Sequence, residues 1–86
     1  MEQIRVSSSS NPSKVAGALS NLLREHKCVQ IQVIGAASLN QAIKAITITR
    51  GYMIPSGFEV YCIPSFYDVE IDGEIVTSIR LNIEIK

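Results

Sequence analysis

The chain reads as an α+β protein, an α/β two-layer sandwich of order βαβαββ in which a four-stranded mixed sheet carries two helices on one face. Three observations predict it. Across residues 31–51 the apolar spacing changes from strand-like (Ile31, Val33, Ile34) to helical (Leu39, Ala42, Ile43, Ala45, Ile46, Ile48) on either side of Gly35, Ala36 and Ala37. That change of period marks a strand, a tight turn and a crossover helix. Asn11 followed by Pro12 starts an earlier helix, because Asn accepts an orphan amide hydrogen and Pro lacks the donor that a first turn leaves unsatisfied. Asp72-Gly73 between two extended runs signals a type I′ hairpin, whose two central residues both need positive φ.

Taken in order, residues 3–7 form a short half-buried strand with Ile4 and Val6 inward, followed by the serines 7–10. The helix from Pro12 gathers Val15, Ala18, Leu19, Leu22 and Leu23 on one face and Lys14, Gly17, Asn21, Arg24 and Glu25 on the other. Burying Val15 and the leucines contributes about 1.5 to 3 kcal/mol each before entropy is subtracted. His26 and Lys27 suit the negative end of that helix. Residues 28–34 form the second strand with Gln30 and Gln32 outward, parallel to the first because crossovers of this kind are right-handed.

The second helix is predicted from Ser38 to about Arg50, with Gly51 as terminator and a polar stripe of Asn40, Gln41, Lys44 and Thr47. Its remaining girth is apolar, so part of it is expected to be buried against a second copy of the chain. Pro55, Ser56 and Gly57 form a turn. A strand then runs over residues 58–63, bends or bulges at Pro64 and Ser65, and continues to Ile71. The last strand, residues 74–86, alternates Ile79, Leu81, Ile83 and Ile85 with Arg80, Asn82, Glu84 and Lys86, and is placed between the second and third strands. The outer end of the hairpin, residues 67–76, projects as an arm.

Length and composition narrow the function. Residues 1–86 are expected to form one domain, with a single two-layer core and no room for a catalytic cleft between domains. Apolar residues make up 47% with five aromatics and no Trp, which weighs against coating of single strands by rows of stacked rings. No apolar run spans a bilayer and the start Met1, Glu2, Gln3 lacks the form of a signal peptide, so a cytoplasmic protein without a membrane partner is expected. Cys28 and Cys62 lack Cys-x-x-Cys spacing and are expected as buried, reduced thiols. With His26 they supply at most three metal ligands, and one histidine offers no choice of catalytic triad. No metal, no cofactor and no enzymatic activity are expected. Up to Gly57 six Lys/Arg face two Glu, whereas from Phe58 onward two face six acids, so a chain of zero net charge is divided into a basic and an acidic part. Proteins that coat nucleic acid carry a basic excess, and this chain has none overall.

The candidate site lies where both helices begin. Each follows a parallel strand, so both starts emerge at one edge of the sheet, the place where open α/β sheets hold ligands. The candidate residues are Ser9, Ser10, Asn11 and Lys14 at the first helix and Gly35, Ala36, Ala37, Ser38, Asn40, Gln41 and Lys44 at the second. Free amides, hydroxyls and two lysines suit phosphate; the same residues also serve as helix caps and a solvated face. Asp68, Glu70, Asp72 and Glu74 along the hairpin guard an exposed edge against aggregation, or form an acidic arm for a protein partner.

Several motifs are familiar. The runs Asn11-Pro12-Ser13-Lys14-Val15-Ala16-Gly17-Ala18-Leu19 and Ile34-Gly35-Ala36-Ala37-Ser38-Leu39-Asn40-Gln41-Ala42-Ile43-Lys44-Ala45, with Pro55-Ser56-Gly57, Cys62-Ile63-Pro64-Ser65-Phe66 and Asp72-Gly73-Glu74, closely resemble the stage V sporulation protein S family over nearly the whole chain. The resemblance implies a small bacterial cytoplasmic protein that influences the progression of sporulation without enzymatic activity. The element order is also similar to the Alba-like fold of archaeal chromatin proteins and related RNA-binding domains. That resemblance implies a homodimer touching DNA or RNA through the two loops and the arms; in this chain the cations expected to make the contact are Lys14, Lys44, Arg24 and Arg50. Where such proteins place lysines before the first helix this chain has Ser10 and Asn11, and where they carry basic residues in and after the second loop it has Ala36, Ala37 and Gln41. Its arm is acidic, which repels a phosphate backbone. A weak nucleic-acid contact is therefore expected, with a dimeric protein-interaction scaffold or a small-anion or nucleotide sensor as alternatives.

Overall fold

The computed structural model describes residues 2–86, with strands β1 (Glu2–Arg5), β2 (Cys28–Val33), β3 (Val60–Ile71) and β4 (Glu74–Ile85), helices α1 (Pro12–His26) and α2 (Ala36–Met53), and a 3₁₀ turn at Ile54–Ser56. Val29, Ile31 and Val33 of β2 and Leu81 and Ile83 of β4 are at most 2% exposed. Alternate residues of a strand share a face, so these five side chains define a single apolar side of the sheet. Leu19 and Leu23 from α1 and Ala42 and Met53 from α2 complete the same cluster. Both helices thus cover one face and leave the other open.

The sheet order is β1-β2-β4-β3, with β1 parallel to β2 and β4 antiparallel to both of its neighbours. The last strand fills the position expected from the sequence. β2 pairs with β4 only over Ile79 to Glu84, whereas β3 pairs with β4 as far as Ile71 and Glu74. The excess is a two-stranded arm, and the molecule measures 45 × 23 × 16 Å. Asp72 (φ 51°) and Gly73 (φ 81°) close it in the left-handed region, as a type I′ turn requires.

Several local expectations are corrected. β3 has neither bend nor bulge at Pro64 and Ser65, since its pairing with β4 runs without interruption through Pro64–Leu81 and Ser65–Arg80. β3 lies at the sheet edge, where alternate backbone nitrogens face away from the ladder and a proline costs no pairing bond. α2 begins at Ala36 and not Ser38, and it runs through Gly51 to Met53. A helical glycine costs only about 1 kcal/mol relative to alanine, and the fully buried Thr49 and Met53 hold the final turns in place. β1 ends at Arg5, although Val6 still donates to the Gln32 carbonyl (3.3 Å) and is buried. β2 ends at Val33, leaving Ile34 43% exposed, and β3 begins at Val60.

α1 buries Ala16, Leu19, Ser20 and Leu23 while Ala18 is exposed, so its inner face is turned from the expected one. The cause is α2. Ser20 Oγ (2.7 Å) and Thr49 Oγ1 (3.4 Å) both donate to the Ala16 carbonyl, so one side of α1 packs on its neighbour as well as on the sheet. α1 stops at Lys27 without a glycine, its N–H donating to the Leu23 carbonyl (2.9 Å) from a left-handed conformation.

The one-sided core yields a direct test. Ile83→Ala removes a fully buried side chain and is expected to cost roughly 2 to 5 kcal/mol in urea unfolding. Ile63, opposite Asn82 on the other face and 53% exposed, should cost no more than about 0.5 kcal/mol when replaced by Ala. Equal losses contradict the assignment of faces.

Candidate functional site

Because β1 and β2 are parallel, both leave the sheet at the same end, and the starts of α1 and α2 share that rim. Gln41 Nε2 of α2 donates to the Ser10 carbonyl (2.9 Å), which ties the two together. The arm rises beside them and encloses a half-open cleft of about 590 Å³. Arg5, Ser7, Ser8 and Ser10 form its loop wall, Gln32, Ile34 and Ser38 its floor, and Tyr67, Val69, Glu70 and Ile71 its arm wall.

The two helix starts are chemically unlike. At α1, Asn11 Oδ1 accepts from the amides of Ser13 (2.9 Å) and Lys14 (3.3 Å). The serine loop closes on itself: the Ser7 amide donates to Ser10 Oγ (2.9 Å), the Ser9 amide to Ser7 Oγ (3.3 Å) and the Ser10 amide to the Ser7 carbonyl (3.2 Å). Asn11 thus caps α1, as its pairing with Pro12 predicts, and a side chain of the protein already occupies the first start. At α2, Gly35 takes φ 89° and ψ 160° and, among the described residues, no side chain caps the helix. Ala36 and Ala37 are exposed and Ser38 is buried against the cleft. Only Gly tolerates the first of these conformations readily, and having no side chain it leaves the first amides of α2 without a local acceptor.

The family model of stage V sporulation protein S matches residues 2–86. The chain belongs to the stage V sporulation protein S family. Among solved structures, "Alba from Thermoplasma volcanium" superposes with a TM-score of 0.67 over 99% of each chain at 14% identity. At that identity the likeness establishes the fold, and this member of the sporulation family is Alba-like. Among the described residues no helix is long and apolar enough to cross a membrane.

Within this sporulation-family chain, the remaining candidates divide between the two sides of the rim. Lys14 is exposed in the first turn of α1 and Asn40 in the second turn of α2. Lys44 lines a shallow groove with Pro12, Ser13, Ile43, Thr47 and Ile48, on the helix side. Arg24 and Arg50 stand in the last turns of their helices, at the end of the molecule away from the rim. Arg50 is also engaged, Nε donating to Glu59 Oε1 (2.7 Å) and Nη2 to Oε2 (3.0 Å). Arg5, Gln32 and Tyr67 of the cleft escaped the sequence reading. Strand alternation puts Arg5 and Gln32 on the open face, but only the register of β3 brings Tyr67 to them.

Cys28 stands opposite Glu84 and Cys62 opposite Ile83, so the two thiols lie on opposite faces of the sheet and cannot join His26 on one metal ion. Burial pushes both thiols above their ordinary range, with Glu84 adding to the effect at Cys28. Among the described residues no three His, Cys, Asp or Glu gather as metal ligands.

Two measurements follow. Asn11→Ala is expected to cost about 1 kcal/mol of stability by uncapping α1; no loss in denaturant unfolding contradicts the plugged start. The Arg50 guanidinium, with help from the Val60 amide, holds the Glu59 carboxyl down to about 2 from an ordinary 4.5. The folded state then binds fewer protons than the unfolded one, so this contribution is complete above pH 4.5 and lost as pH falls toward 2. The pair is exposed and its effect small, and Glu59→Gln should flatten the acid limb of the stability profile. An identical acid limb contradicts the assignment.

Proposed function

We propose that this protein is a non-enzymatic regulator of sporulation that acts as an Alba-like homodimer and makes weak contact with nucleic acid through the rim. The observation that carries this reading is the convergence at one end of the molecule of the uncapped α2 start, Arg5, the serine hydroxyls and the exposed Lys14 and Lys44. Amide donors at a helix start favour phosphate oxygens, and cations nearby add sequence-independent attraction. Few cations and zero net charge keep the contact weak.

Pairing of two copies is supported by apolar side chains left exposed on the helix side, Ile43 (46%) on α2, Ile54 (45%) in the 3₁₀ turn after it and Phe66 (80%) on β3. Two copies present two rims to one polymer, which raises avidity without new contacts. A second reading rests on the arm. Asp68 and Glu70 share one face of it, with Asp72 at the tip and Glu74 beyond, a surface suited to a basic protein partner. Capture of such a partner that depends on these carboxylates, without nucleic-acid binding, favours the scaffold.

Fluorescence anisotropy with labelled DNA and RNA over a salt series tests the proposal. Binding at low salt should weaken steadily as salt rises, and the double change Lys14→Glu and Lys44→Glu should weaken it by about tenfold or more. No binding at low salt, or affinity unaltered in the double variant, contradicts it. Sedimentation at micromolar concentration should report about twice 9.4 kDa; a monomer contradicts the dimer.

A further inference from the structure

Resting on the nucleic-acid reading above, we propose that the cleft between the serine loop and the arm holds one unpaired nucleotide, with its phosphate toward Arg5 and the serines and its base against Tyr67. The cleft is chemically polarised. Its loop wall carries the Arg5 guanidinium, which has no salt-bridge partner among the described residues, and the hydroxyls of Ser7, Ser8 and Ser10. Its arm wall carries the Tyr67 ring with Val69 and Ile71, and Ile34 extends that apolar surface onto the floor. Glu70 also borders the cleft on the arm side, on the other strand face from Tyr67, and its negative charge disfavours an anionic group at that end. A ligand with one anionic end and one flat, largely apolar end matches this division. About 590 Å³ lies within the range of small-molecule sites.

A second observation concerns the sheet face beside the cleft. Ser78 Oγ and Arg80 Nε are buried and have no hydrogen-bond partner among the described residues, and Ser78 as a whole is 4% exposed. Ser78 stands directly opposite Tyr67 and Arg80 opposite Gln32. Directly paired residues share a sheet face, so both unpartnered groups lie on the face from which Tyr67 and Gln32 line the cleft. Buried polar groups without partners are uncommon in folded proteins; neither residue lines the cleft itself, so the two mark the neighbourhood of Tyr67 and Gln32 and not the wall a ligand touches. Arg80 also lies 4.8 Å from the centre of the Tyr67 ring. That contact holds the ring in place and adds positive charge beside it.

The cleft discriminates where the lysines do not. Lys14 and Lys44 attract any phosphate backbone, but a base inside a duplex is paired and stacked and cannot reach Tyr67. One ring per cleft also fits a chain too poor in aromatics to coat a strand.

The experiment compares a single-stranded oligonucleotide with a duplex of the same sequence at one salt concentration, and adds adenosine monophosphate as a free nucleotide. The expected wild-type result is at least about tenfold tighter binding of the single strand, with the mononucleotide competing for it. Tyr67→Leu should collapse the preference and Tyr67→Phe, which keeps the ring, should restore most of it. Arg5→Gln, at an exposed position where substitutions cost little stability, should weaken both the single strand and the mononucleotide several-fold. Lys14→Gln should weaken single strand and duplex alike and leave their ratio standing. Equal affinity for single strand and duplex, or a preference that survives both Tyr67→Leu and Arg5→Gln, overturns the cleft while leaving the rim reading intact. Saturable mononucleotide binding lost in Arg5→Gln, with no polymer binding, supports the cleft as a site for free nucleotide and overturns the rim reading. No binding of any of the three overturns both. Should Tyr67→Leu fail to fold by circular dichroism, Arg5→Gln and the wild-type competition decide.

Discussion

One apolar face of a four-stranded sheet must be covered by two helices, and the placement of everything else follows from that packing. Val29, Ile31, Val33, Leu81 and Ile83 share the face, and Leu19, Leu23, Ala42 and Met53 cover it. A right-handed crossover from β1 makes β2 parallel to it, so both strands end, and both helices begin, at the same rim. Inserting β4 between β2 and β3 leaves twelve-residue strands paired beyond the body of the sheet. The arm and the cleft beside it are products of that insertion. The opposite face carries a row of amides instead of a core, Gln3 donating to Gln30 (3.0 Å) and Gln30 to Asn82 (3.1 Å).

The rim is asymmetric for a simple reason. Asn11 has a side chain long enough to accept two amides of its own helix, and Gly35 has none. Two structurally equivalent helix starts therefore differ in what they offer: the first is satisfied from within, whereas the second presents donors outward. The charge of the chain is distributed in the same spirit, with cations before residue 58 and acids mostly after it. At this end Arg5 and the serines border the cleft on one side and Glu70 borders it on the arm side.

Much of the architecture was legible because it is encoded locally. Asn11-Pro12 and Asp72-Gly73 state their backbone conformations within two residues, and the alternation of Ile79, Leu81 and Ile83 names both the strand and its buried face. Features set by tertiary contact were not legible. Gly51 reads as a stop until Thr49 and Met53 are seen anchored in the core, and the buried face of α1 depends on α2 lying beside it. Pro64 suggests a bulge only while its strand is not known to be an edge. The candidate site divides along the same line. Glycine and serine loops at helix starts can be read from spacing, but the meeting of Arg5 with Tyr67 depends on strands far apart in sequence. Whether an amide is free or already taken depends on a side-chain conformation that residue type alone does not specify.

The central claim is that the shared rim, with its open α2 start, is where a phosphate-bearing ligand meets this protein. Backbone amide shifts recorded by heteronuclear NMR during titration with a single-stranded oligonucleotide test it most directly. The account predicts shifts concentrated at Arg5 to Ser10, Gly35 to Ser38 and Tyr67 to Ile71, with the amides of Ser13 and Lys14 less affected because Asn11 already holds them. Shifts confined to the far ends of the helices near Arg24 and Arg50, or no shifts at the rim at saturating ligand, would contradict it.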